Sequence, residues 1–294
     1  MIFRDVKKNK IKTLLIFGLF MGMVYLVIYF VGILFDLSTP VFIIVAAVMS
    51  FLSAFGAYYN SDKIVLSLNK ARPATKEEDL MLTNLLEGLC LGAGLPMPKL
   101  YIMDDSAMNA FATGRNPNHA VICVTTGLLE RLDKYEVEAV LAHELSHIKN
   151  YDILLQTVAI VMVGFIVIIS DLVSRNMYLA GNSDDDNKAS GIIMIIGLIF
   201  VILSPIFAEL LKLTISRNRE YLADASAVEI TRNKGAMINA LRKISDDPEL
   251  LEQAHKSSES LFIISPLKNK KNRDSLFSTH PSIENRIERL NNIN

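Results

Sequence analysis

Tryptophan is absent from the 294 residues, and cysteine occurs only as Cys90 and Cys123. Two thiols cannot build a framework of bridges, so packing has to hold the fold, and a reducing compartment suits them. Without tryptophan, any interfacial aromatic belt would rest on tyrosine. An excess of charge of one sign is also missing. Thirty basic and 31 acidic side chains leave a formal net charge of −1. That offers no global field for nucleic acid, and no nucleic-acid partner is expected. Internal repeats, a glycine-rich phosphate loop and a paired Cys/His finger pattern are all lacking.

Apolar sequence is abundant. Hydrophobic residues make up 51% of the chain and the mean hydropathy is +0.33, yet 21% of residues are charged. The figures coexist only if the two kinds of residue are segregated. Residues 14–35, 37–59, 153–170 and 189–208 are uncharged runs. Each fits the length of about 17–25 residues that a helix needs to cross the hydrocarbon core. A cleaved signal peptide fits poorly at the start, because the first run is long and no small-x-small site precedes Asp36. The expectation is two membrane hairpins, four spans in all.

Basic residues set the orientation. Arg4, Lys7, Lys8, Lys10 and Lys12 precede the first run, and Lys63, Lys70 and Arg72 follow the second. The 36–40 connection has no Lys or Arg, and the loop before the fourth run holds Asp184, Asp185 and Asp186. Lys212, Arg217 and Arg219 come after the fourth. Both termini and both long polar segments should therefore lie in the cytoplasm, at the plasma (inner) membrane. The domain expectation is a hairpin over 1–60, a cytosolic half over 61–152, a second hairpin over 153–213, and a second cytosolic half over 214–294.

Local patterns fill in the polar segments. Residues 76–94 read as an amphipathic helix ended by Gly92 and Gly94. Residues 99–103 and 119–125 read as strands, joined by a turn-like cluster at Gly114, Asn116 and Pro117. Helices are expected over 133–150, 214–231, 233–246 and 281–292, the last with Pro281 at its first position and Ile283, Ile287 and Leu290 on one face. Lys268, Lys270, Lys271 and Arg273 form a basic loop, read as solvated.

One pentapeptide concentrates the chemistry. His143-Glu144-Leu145-Ser146-His147 puts two imidazoles four residues apart, on the same face of a helix. Such a pair can hold one zinc ion, and the intervening glutamate can act as general base. A catalytic zinc needs a third protein ligand. Position 153 is isoleucine, so a histidine six residues on is not available; His119, His255 and His280 are the other histidines. Downstream, Glu220 and Asp224 lie four apart. Glu220 is the candidate ligand, and Asp224 can accept the second ring N–H of a ligating histidine.

The chain resembles the HtpX-type membrane metalloproteases, relatives of the CAAX prenyl endopeptidases. The resemblance rests on the basic start with two spans, Asn109-Ala110-Phe111-Ala112-Thr113-Gly114, Val124-Thr125-Thr126-Gly127-Leu128-Leu129, the pentapeptide, the 217–224 segment and Thr279-His280-Pro281-Ser282. It implies a mainly α integral membrane protein with about four transmembrane helices. A cytosolic gluzincin-type zinc peptidase domain would carry a small β-sheet. It further implies one Zn²⁺ on His143, His147 and Glu220, with Glu144 catalytic and membrane-protein quality control as the role.

On this reading Glu144 takes a proton from the attacking water. The oxyanion needs a further donor, for which His280 and then Tyr221 are the candidates. The 119–125 strand is expected to accept substrate backbone as an added strand. Substrates would be misfolded or damaged membrane proteins at the cytoplasmic face of the bilayer. Two other classes compete: an inactive membrane adaptor of the same fold, which would be expected to lose Glu144 or a ligand, and a transporter, which would want ionisable groups near the midplane.

Overall fold

The computed structural model describes residues 2–34, 40–162, 217–266 and 280–293. The third apolar run is covered only as far as residue 162. Its remainder, the acidic loop, the fourth run and the basic loop lie outside the described residues. Two compact units emerge. One comprises Met1–Lys10, Ser61–Thr157 and Ile215–Asn294, the other Ile11–Asn60 and Val158–Thr214, so far as these are described.

In the second unit, α1 (Ile2–Leu34) from Ile11 onward accompanies α2 (Pro40–Tyr59). Phe17 meets Tyr58 edge-on at 6.3 Å. Val41, Ile44, Val48, Phe51 and Leu52 stand exposed on α2. Large apolar side chains presented outward call for an apolar surrounding. The windows Val6–Leu26 and Pro40–Tyr59 are long and apolar enough to cross a membrane. These are two candidate spans of the four expected.

The first unit contains α3 (Ser61–Leu68), β1 (Arg72–Pro73), α4 (Lys76–Ala93), β2 (Lys99–Met103), β3 (Ala110–Gly114), β4 (Ala120–Thr125), α5 (Thr126–Arg131) and α6 (Lys134–Lys149). It also holds the start of α7 (Asp152–Met162), then α8 (Arg217–Thr231), α9 (Lys234–Asp246) and α10 (Ile283–Asn291). The mixed sheet has the order β1-β2-β4-β3. β2 runs parallel to β4, with Ile102 opposite Val124, and β3 runs antiparallel to it, with Ala112 opposite Ile122. Leu82, Leu86, Ile102, Ile122, Leu128, Val140, Leu141, Leu145, Met237 and Leu241 form the core around α6.

The sheet corrects the sequence reading at three places. Residues 110–114, read as part of a connection, form strand β3. The turn that follows needs a glycine, because Gly114 has φ +136° and a Cβ there would sit 2.3 Å from the His119 carbonyl oxygen. His119 itself is outside β4, in a tight turn with its ring bonded to Asn116 Oδ1 at 2.9 Å. β4 is central, with β2 and β3 on its two sides, so it has no free edge to offer an added strand. The sheet ends at β3 instead, and there Ile263 N–H already donates to the Ala110 carbonyl at 3.0 Å while Phe262 packs on Phe111. The last helix begins two residues later than expected, because Ser282 caps it through Asn285 N–H at 3.3 Å and leaves Pro281 outside.

Candidate metal centre

α6 starts in a capping box. The Asp133 carboxylate accepts from Tyr135 and Glu136 N–H at 2.9 and 3.0 Å, and Glu136 accepts from Asp133 N–H at 2.9 Å. Lys243 adds an ion pair to Glu136 at 2.7 Å. Such caps contribute about 0.5–2 kcal/mol and fix where the helix begins. Every residue from 139 to 148 is buried, so α6 is enclosed all round rather than on one face. Ala139 and Ala142 let neighbouring elements approach closely. At its far end Tyr151 takes φ 59°, a left-handed corner that turns the chain directly into α7.

The enclosed helix brings His143 and His147 against α8, which supplies Glu220. The two Nε2 atoms are 3.2 Å apart. Glu220 Oε2 lies 3.6 Å from His143 Nε2, and Oε1 lies 3.6 Å from His147 Nε2. Two ligand atoms bound to one tetrahedral zinc at about 2.0–2.1 Å stand about 3.3 Å apart. The three groups are therefore already spaced as three corners of such a site. Two imidazoles and a carboxylate also suit zinc chemically. All three residues are buried, and they are the cluster of potential ligands found among the described residues.

Carboxylates occupy the other ring nitrogens. His147 Nδ1 bonds Asp152 Oδ2 at 3.0 Å. His143 Nδ1 lies 3.0 Å from Asp224 Oδ1, a close ion-pair contact whose N–H is not aligned for a full hydrogen bond. Such partners turn Nε2 toward a metal and raise its basicity. Asp224 is held in turn by Arg286, fully buried, which donates from Nε at 2.8 Å and Nη2 at 2.6 Å, while its Nη1 donates to the Ile263 carbonyl at 2.7 Å. Arg286 Nη1 also lies 3.9 Å from Glu220 Oε2.

The protonation pattern follows from these contacts. Burial opposes charge on His143, but Asp224 and Glu220 outweigh it and lift its pKa to about 9. Burial likewise opposes the charge on Glu220, yet His143, 3.6 Å away, with His147 and Arg286 beyond it, holds its carboxyl well below the usual range. Asp224 and Asp152 are lowered in the same way against burial, by Arg286 and by His147 with Arg219 respectively. Glu144 goes in the other direction: burial pushes its carboxyl up. Neither of its oxygens has a hydrogen-bond partner among the described residues, although both are buried. An unpaired buried carboxylate next to two potential ligands is a costly arrangement that a structural role does not explain.

The remaining candidates separate. His280 is half-buried beside the cluster. Burial pushes its pKa down, Glu220 pulls the other way and Arg286 reinforces the shift, which favours the neutral ring. Tyr221 is engaged elsewhere, with the Arg289 guanidinium 3.8 Å from its ring centroid. Sequence reasoning missed Asp152 and Arg286. Asp152 carried a signal only in its position just past the end of a histidine-bearing helix. The signal for Arg286 was stronger: it lies at the i+3 position after Ile283, a charge on the apolar stripe of α10.

A histidine pair on one buried helix, a glutamate from a second, and a buried carboxylate beside them form a group that could hold one metal ion. The model of peptidase family M48 matches residues 76–294, and the chain belongs to that family. It is 45% identical over 288 residues to a "Protease HtpX homolog" of Dictyoglomus thermophilum, covering 98% of this chain and 93% of that protein. It is also 45% identical over 304 residues to a protein of the same description from Listeria monocytogenes serotype 4b, with both covered completely. The crystal structure of S. mikatae Ste24p shares the fold with a TM-score of 0.51 at 21% identity. That match covers 98% of this chain and 66% of Ste24p.

Proposed function

We propose that the chain is a membrane-bound zinc endopeptidase that cuts misfolded or damaged membrane proteins at the cytoplasmic face. The observation that carries the catalytic part is the buried, unpartnered Glu144 carboxylate beside the converging His143, His147 and Glu220. Bound zinc would supply a Lewis acid that polarises the scissile carbonyl and acidifies the attacking water toward a pKa of about 7. The residues would do the rest. Glu144 takes the water's proton on a free carboxylate oxygen and delivers it to the leaving amine. Its raised pKa suits both transfers. The neutral His280 ring donates its N–H to the oxyanion. Asp152 and Asp224 keep the two imidazoles in the tautomer whose Nε2 lone pair faces the metal.

The membrane part rests on the two candidate spans, on the apolar runs 153–170 and 189–208, and on the distribution of basic residues. His147 stands 6 positions before residue 153, with the Tyr151 corner between them, so the histidine pair lies within a few residues of the third apolar run. The cut should therefore fall near the bilayer, in unfolded cytosolic loops or tails. A membrane-anchored reporter tests this, with an unstructured cytosolic segment placed at increasing distance from the bilayer. Wild type should cleave most strongly within the first few tens of ångströms, and Glu144→Gln should keep its zinc while losing cleavage by several orders of magnitude. Cleavage by metal-loaded Glu144→Gln would overturn the catalytic assignment, and equal cutting at every distance would overturn the placement.

A further inference from the structure

The segment ahead of the first apolar run holds one residue that its reading as a basic membrane flank does not explain. Asn9 is 5% exposed in a stretch whose neighbours Lys8 and Lys10 face solvent. Its Nδ2 donates to Asp152 Oδ1 at 2.7 Å and to the Asn150 carbonyl at 3.1 Å. Arg219 Nη1 approaches the same Asp152 oxygen at 3.3 Å. The opposite oxygen, Oδ2, bonds His147 Nδ1. A third grip comes from Lys10, whose Nζ lies 4.3 Å from the Tyr151 ring centroid on the left-handed corner itself.

A carboxylate orients an imidazole only if the carboxylate cannot rotate. Asp152 sits at the first position of α7, beyond the corner, and is 2% exposed. His147, the group to be oriented, is the α6 residue that bonds this carboxylate, at Oδ2, so its plane is set from outside α6, by Arg219 and Asn9 on Oδ1. Asn9 does so by tying Oδ1 and the Asn150 carbonyl together through one amide, which sets the corner and the carboxylate as a unit. An aspartate at position 9 would fill the same volume but would face two acceptors with no donor.

We propose that Asn9 is a positioning residue of the metal centre: through Asp152 it holds His147 in the orientation that binds metal. The inference rests on His147 being a ligand, as proposed above. Removing outer partners of metal ligands typically weakens affinity about 10–100-fold. Asn9 acts one bond further out, so the low end applies, a loss of about tenfold.

The test is zinc affinity of the full-length, detergent-solubilised chain by chelator competition. The variants are Asn9→Leu, Asn9→Asp, Asp152→Asn and Asn9→Leu/Asp152→Asn, with exposed Lys8→Ala as control. Asn9→Leu should bind zinc about tenfold more weakly, Asn9→Asp more weakly still, and Lys8→Ala like wild type. Because Asn9 acts through Asp152, the double variant should be no weaker than Asp152→Asn alone. Fully additive losses, or a lowered melting temperature with unchanged zinc affinity in Asn9→Leu, would reduce Asn9 to a packing residue and overturn the proposal. If Asn9→Leu does not fold, Asn9→Asp against Asp152→Asn decides by the same comparison. Failure of the underlying reading looks different: His147→Ala would then bind zinc as wild type does.

Discussion

Replacing Arg286 by methionine keeps an unbranched side chain in the same buried space and removes the guanidinium. Three hydrogen bonds disappear, two to Asp224 and one to the Ile263 carbonyl. Asp224, itself 2% exposed, is left with a buried charge and, among the described residues, His143 alone to answer it. Breaking a buried pair from one side costs about 3–5 kcal/mol. Whole domains are stable by about 5–15 kcal/mol. At about 2–4 °C per kcal/mol for domains of this size range, the melting temperature of the metal-free protein should fall by about 6–20 °C. Arg286→Lys should fall between, because a point charge cannot form the fork. The pH dependence has a definite sign. The Asp224 carboxyl is held below its ordinary value, so the stability it contributes is present above about pH 4 and is lost as pH falls through the folded pKa. The gap between wild type and Arg286→Met should therefore narrow on acidification. A melting temperature within about 2 °C of wild type at neutral pH would refute this account of Arg286.

Glu220→Ala should lower zinc retention after dialysis by orders of magnitude while α8 still folds; full metal content would show that the carboxylate is not a ligand. For the metal-free protein, His143 has a folded pKa of about 9 against an ordinary 6.5, so its contribution is complete below about pH 6.5 and disappears as pH rises through about 9. Thermal unfolding in chelator across that window should show a falling melting temperature; a flat or rising profile contradicts the pairing of His143 with Asp224 and Glu220. Gly114→Ala puts a Cβ 2.3 Å from the His119 carbonyl oxygen at φ +136°, and should destabilise the unit by about 2–4 kcal/mol, read from denaturant midpoints. Unchanged midpoints would mean the β3–β4 turn is less constrained than its geometry implies.

The parts of the centre that were legible in the sequence are those encoded locally. Helical spacing alone brings His143 and His147 to one face, and α4, β2, α6 and α9 appear close to where propensity and caps place them. Strand β3 was hidden because the turn residues after it dominate the pattern, so the whole stretch between 103 and 119 reads as a connection. The supports of the centre were hidden for a different reason. Asn9 and Asp152 are separated by 143 positions, and Arg286 and Asp224 by 62. No periodicity links such pairs, which become neighbours only once the helices pack. The charge on the apolar stripe of α10 was the stronger visible trace, since a lone arginine among Ile283, Ile287 and Leu290 must find a buried partner.

The pieces of the centre are far apart along the chain: Asn9, then the two histidines and Asp152, then Glu220 and Asp224 beyond the runs 153–170 and 189–208, and Arg286 last. A ribosome delivers them in that order. Until Glu220 has emerged, the growing polypeptide owns a histidine pair without the carboxylate that would complete the proposed metal site. Until Arg286 has emerged, Asp224 lacks the counter-charge that lets it serve His143. A chain stalled at residue 219 is the direct test, and zinc-dependent cleavage by it would exclude this sequence of events. A peptidase whose ligands emerge in this order stays silent until its last elements are made, a latency that comes from the order of synthesis.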